Sequence, residues 1–79
     1  ESFSVSAAEL LVELKRLRKI LAAEREVPAY VIFSDRSLID MAAKRPTSEI
    51  EFAGIFGVGK AKLRDFSKAF IALIAEFMK

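Results

Sequence analysis

The residues of this chain best placed to do chemistry are glycines and lysines at one spacing. GIFGVGKAKL, from Gly54 to Leu63, fits G-x-x-x-x-G-K over Gly54 to Lys60. That is the spacing with which backbone amides and a lysine cradle nucleotide phosphates. A working nucleotide loop also needs a hydroxyl residue after the lysine, a parallel strand before the loop and a carboxylate at a second strand end. Position 61 is Ala, the preceding SEIEFA has helix-capping chemistry, and no β-rich run ends in Asp. Nucleotide hydrolysis is therefore set aside. The other reading is an elbow, the hydrophobic-Gly-hydrophobic-Gly turn of a helix-hairpin-helix-like unit, spelled Phe56-Gly57-Val58-Gly59. Glycine permits positive φ and removes side chains that would block a neighbour. Gly57 and Gly59 then serve geometry alone, or they leave bare the amides that open the last helix. With Lys60 and Lys62 beside them, bare amides make an anion site, and the natural anion is a nucleic-acid phosphate.

Other chemistry is poorly supplied. The 79 residues contain no His and no Cys, which excludes disulfides, thiol chemistry and Cys/His zinc sites. Serines lack a histidine to activate them. Asp35 and Asp40 read as a cap and a surface residue, and no carboxylate cluster suits a metal-dependent nuclease. The chain is read as non-catalytic, with no metal and no cofactor.

The elements that would position the elbow are helices. Ser6 and Glu9 form a capping box. Leu10, Leu14, Leu17 and Leu21 then place leucines on one helical face to about Arg25. Lys15, Arg16, Arg18 and Lys19 fall largely off that stripe and face water. Pro28 suits a first helical turn. The run YVIF is read as a short buried helix, because no second strand exists to pair with it. Ser34 or Asp35 caps a helix from about Asp35 to Lys44, with Leu38, Ile39, Met41 and Ala42 inward, and Pro46 ends it. Ser48 and Glu51 make a second capping box before a helix from about Glu49 to Phe56. The last helix, about Lys60 to Met78, carries Leu63, Phe66, Phe70, Leu73 and Phe77 inward. The sum is an all-α fold, a compact five-helix bundle with the G-V-G turn between its last two helices. Residues 1–5 are read as a tail or remnant and 6–79 as one small domain. Since the chain begins ESFSVS without Met, it is read as cut from a longer protein.

Hydrophobic residues make up 53% of the chain, enough for a packed core, and no apolar run reaches the roughly 18 residues of a membrane span. Net charge is +2. The charge is patched: Lys60, Lys62, Arg64 and Lys68 gather on the last helix, while Glu24, Glu26, Glu49 and Glu51 form acidic counterparts.

The order LKRLRKILAAE, VPAYVIFSD, SLIDMA, a proline, I-F-G-V-G-K-A-K and an F-x-x-x-F helix resembles the helicase-and-RNase-D C-terminal (HRDC) domain, from about Glu9 to Ile74. The VPAYVIFSD spelling is more similar to the bacterial RecQ side of that family than to the RNase D side. Two positions depart mildly, with Lys15 in LKRLR and Ser67 where the last helix usually has glycine. The resemblance implies a non-catalytic module that tethers a helicase to DNA. It also implies that Tyr30, the aromatic of the V-P-x-Y motif, contributes to single-strand DNA binding, with Lys60 and Lys62 as the matching basic candidates. The expected setting is bacterial cytoplasm and nucleoid, with a monomeric domain, no membrane, weakly bound single-stranded or partly duplex DNA, and the helicase core of the same polypeptide as partners.

Two functions follow as expectations. In the first, Tyr30 stacks a base, worth about 1–3 kcal/mol, and Lys60, Lys62 and Arg64 meet phosphates, for a single-strand salt slope of about −2. In the second, Glu24, Glu26, Glu49 and Glu51 dock the domain onto other parts of the same helicase and adjust its hold on DNA.

Overall fold

The computed structural model describes residues 3–79, with side chains from residue 7 onward. Five helices follow in order: α1 (Phe3–Arg25), α2 (Ala29–Ile32), α3 (Asp35–Lys44), α4 (Glu49–Ala53) and α5 (Lys60–Phe77). The long helices α1 and α5 pack together. α2 and α3 lie on α1, and α4 lies on α5. Leu10 and Leu14 of α1 and Phe66, Phe70 and Ile74 of α5 are buried together with Phe33, Leu38, Met41 and Phe52. Phe33 is the centre of this core. Its ring meets Phe52, Phe66 and Phe70 edge-on, with centroids 6.1, 5.8 and 5.1 Å away, the arrangement that ring quadrupoles favour.

Helix ends explain the chain's path. α1 begins at Phe3, earlier than the expected cap at Ser6, whose side chain lies outside the described residues. It ends in a Schellman turn. Glu26 takes the left-handed conformation (φ 57°). Its amide and that of Val27 donate to the carbonyls of Ala23 and Ala22. Pro28 then stands at the N-cap of α2 in extended geometry, one place before the helix. The expected short helix at YVIF covers Ala29–Ile32 and leaves Phe33 as its extended C-cap, and only half of YVIF is buried. Ile32 and Phe33 point inward, whereas Tyr30 and Val31 face solvent.

α3 has the expected bounds, and its cap is Ser34, whose Oγ accepts from the Ser37 amide at 3.2 Å. Ile39 is a correction: it is 54% exposed. Leu38, Met41 and Ala42 fill the inward arc and leave Ile39, about 100° round the helix from Leu38, on the flank. α4 is shorter than expected, because Gly54 ends it and the chain turns before Phe56. Its cap Ser48 accepts from the Glu51 amide, as expected. Glu51 does not return to Ser48, however. Its Oε1 accepts from the amide and hydroxyl of Thr47.

Candidate nucleic-acid interface

The elbow between α4 and α5 is pinned from one side. Ser37 Oγ donates to the Phe56 carbonyl at 2.6 Å, and the Phe56 amide donates to Asp40 Oδ2 at 2.8 Å. That amide holds the Asp40 carboxyl below the usual carboxylate range, and Lys44, 3.3 Å away, adds to the effect. The Arg36 guanidinium lies 3.9 Å above the Phe56 ring. Gly57 is required twice over. Its φ is +80°, and a Cβ there would lie 2.8 Å from Ser37 Oγ. Gly59 differs, since a Cβ there would meet nothing within 4 Å. It is the N-cap of α5 and offers no side chain to the amides that follow. The first amides of an α-helix have no intrahelical acceptor. The opening turn of α5 therefore presents the positive end of its dipole with no side-chain cap, and the exposed Lys60 is its first residue.

The carbonyls that end α2 meet the opposite treatment. Lys62 reaches from α5 and donates through Nζ to Val31 O at 2.9 Å and Ile32 O at 2.8 Å. The next carbonyl, of Phe33, accepts from the Arg18 guanidinium of α1 at 2.9 Å, and the same nitrogen sits 2.9 Å from Asp35 Oδ1. Three successive carbonyls thus receive cationic donors from two other helices. Arg18 is accordingly turned inward, its side chain 13% exposed, which corrects its placement in a solvated cluster. Lys15, Arg16 and Lys19 do face water. Lys62 also lies 5.2 Å from the Phe33 ring centroid. Its ammonium is first a clamp on α2.

That clamp presents Tyr30. The phenol is 73% exposed and next to the half-exposed Val31, on a one-turn helix whose C-terminal end is held from two sides. Val31 was missed by the sequence reading, since a helix of four residues has too little periodicity to reveal its outward face.

The expected basic group divides. Residues two apart on a helix lie about 200° apart around it. Lys62 accordingly turns toward α2 and Tyr30, while Lys60 and Arg64 turn toward α4. There they line a shallow groove with Lys68, Leu63, Ser67 and Glu49. The Arg64 guanidinium lies 2.9 Å from Asp65, which raises its own pKa and lowers that of the carboxyl. Of the four expected acidic contacts, Glu24 and Glu26 are exposed at the α1–α2 corner, Glu49 is exposed in the α4–α5 groove, and Glu51 holds Thr47. Among the described residues no group of His, Cys, Asp or Glu is placed to hold a metal ion, and no helix is long and apolar enough to cross a membrane.

A family profile described as the HRDC domain matches residues 7–74. The chain is 44% identical over 68 residues to an ATP-dependent DNA helicase RecQ of Haemophilus influenzae, which covers 86% of this chain and 11% of that protein. It is 37% identical over 71 residues to the ATP-dependent DNA helicase RecQ of Bacillus subtilis, covering 90% of this chain and 12% of the relative. It is 39% identical over 66 residues to the ATP-dependent DNA helicase UvrD2 of Mycobacterium bovis, covering 84% and 9%. The chain thus spans about a tenth of the length of these relatives.

Proposed function

The chain belongs to the HRDC domain family, and from that premise we propose that it is a non-catalytic accessory domain of a RecQ-like, ATP-dependent DNA helicase. Within that parent it holds single-stranded or partly duplex DNA weakly and tunes which substrate the helicase takes. The setting is the cytoplasm of a bacterium, at the nucleoid. The observation that carries the reading is the exposure of Tyr30, at 73%, on a helix end held from two sides. A solvent-facing ring on a clamped helix end stacks a base without the backbone beneath it first being ordered. The uncapped start of α5, with Lys60, Gly57 and Gly59, supplies the phosphate contact.

The test is an anisotropy titration of a labelled single-stranded oligonucleotide at two salt concentrations. Tyr30→Ala is expected to weaken binding about five-fold or more without lowering the melting temperature. An unchanged affinity in a folded Tyr30→Ala protein refutes the reading. A second function rests on Glu24 and Glu26, both exposed at the corner leading into α2. Here the domain docks by its acidic side onto the helicase core of the same polypeptide. Charge reversal at Glu24 then changes the DNA affinity of the full-length protein while the isolated domain binds no strand.

A further inference from the structure

The α4–α5 groove lies on the flank of α5 turned away from Lys62. Lys60, Arg64 and Lys68 stand at steps of four along α5, so one side of the groove is a cationic row. Each step rises about 6 Å, more than the roughly 3.4 Å of axial rise per nucleotide in a stacked strand. Neighbouring cations therefore reach different phosphates of one strand. Lys60 and Lys68 have no ion-pair partner among the described residues. Arg64 is held only by Asp65, its neighbour in sequence, in an exposed pair of the kind that contributes little and exchanges readily. Leu63 and the buried Ser67 form the floor. Glu49 opposes the row from α4, and with Lys68 it also lines the next hollow along, beside Ile71 and Ala72.

We infer that this groove is a second strand-binding track, in which Lys60, Arg64 and Lys68 hold successive backbone phosphates and Glu49 weakens that hold. The inference rests on the reading of the domain as a nucleic-acid binder, and it adds a face that does not include Tyr30. A strand leaving Tyr30 crosses the bare amides at the start of α5 and enters the groove at Lys60. Contacts to phosphates carry no sequence information, so the track lengthens the footprint without making it selective. Glu49 keeps the footprint weak, because its carboxylate faces the same phosphates.

The experiment is a titration of the 79-residue domain with a labelled single-stranded oligonucleotide over a salt series, with thermal melts of every variant. Lys68→Ala is expected to lower affinity about five-fold at 0.1 M salt and to flatten the log–log slope by about 0.7, the share of one phosphate on a single strand. Glu49→Gln is expected to tighten binding severalfold. Lys15→Ala, which removes the same charge from the outer face of α1, is expected to change both quantities less. All three side chains are exposed, so the variants are expected to melt as the parent does. If Lys68→Ala matches Lys15→Ala while Tyr30→Ala still weakens binding, the track is overturned and the Tyr30 reading stands. If Tyr30→Ala changes nothing while Lys68→Ala and Glu49→Gln shift affinity in opposite directions, the track stands and the Tyr30 contact falls. A parent domain that binds no strand overturns both. Polyglutamate that displaces the strand as well as unlabelled strand does would reassign the groove to acidic protein segments and overturn the proposal.

Discussion

Replacing Lys62 with Met keeps the unbranched stem and removes the ammonium that closes α2. Two donors are lost, at 2.9 and 2.8 Å from the carbonyls of Val31 and Ile32. A hydrogen bond to a charged group contributes about 1.5–3 kcal/mol when the partner cannot turn to water. Only the Ile32 bond is shielded; the Val31 bond is exposed, so water recovers most of it. The contact with the Phe33 ring, 5.2 Å away, adds about 0.5–1 kcal/mol. The total is about 2–4 kcal/mol, which for a domain of this size lowers the melting temperature by roughly 10–30 °C. Lys60→Met, two residues earlier with no partner to lose, is expected to leave the melt within about 0.5 kcal/mol while weakening strand binding. Thermal denaturation followed by circular dichroism reads the first effect, and titration with oligonucleotide reads the second. A Lys62→Met protein that melts with the parent would show that the α2 carbonyls do not need their ammonium, and the clamp would be refuted.

Other outcomes follow from the turns. Gly57→Ala meets both a positive φ and the Ser37 hydroxyl 2.8 Å away, and is expected to cost about 2 kcal/mol in a denaturant melt. Glu26→Gly relieves the left-handed residue that ends α1 (φ 57°) and is expected to stabilise by about 0.5–1 kcal/mol, seen as a higher melting temperature. Asp40 has a lowered folded-state pKa because the Phe56 amide bonds its carboxylate. Its contribution is therefore complete above the ordinary value of 3.8 and is lost as pH falls through the lowered one. Asp40→Asn is expected to be less stable by about 1 kcal/mol at pH 7, with the gap closing below pH about 4 in urea titrations at several pH values.

The helices were legible because their signals are local. Ser34 and Ser48 cap where hydroxyls precede helical runs, and the expected Phe66 and Phe70 do mark the buried face of α5. Ile74, not expected there, completes that face, whereas Leu63, Leu73 and Phe77 are only half-buried. YVIF was legible as helix by elimination, since a lone strand has no ladder. The site was harder to read because its defining contacts join distant residues. Arg18 bonds a carbonyl fifteen residues on, and Lys62 one thirty residues back. Nothing in their neighbours' identities distinguishes them from solvated cations. Asp40 looks like a surface carboxylate until the elbow's amide arrives sixteen residues later. The division of the basic residues was available from the sequence, because helical periodicity alone sets Lys62 against Lys60 and Arg64.

A single helical turn cannot persist by its own backbone bonds. The turn that carries Tyr30 therefore borrows its order from Lys62 and Arg18, and Lys62 is the last of the three to leave the ribosome. Until α5 is in place, the segment carrying the ring is expected to lack a fixed conformation. A fragment stopping before Lys60 is expected to give a faster-depolarising tyrosine than the 79-residue domain, where the helix beneath the ring is fixed. Docking of α5 thereby becomes the event that fixes the helix carrying Tyr30.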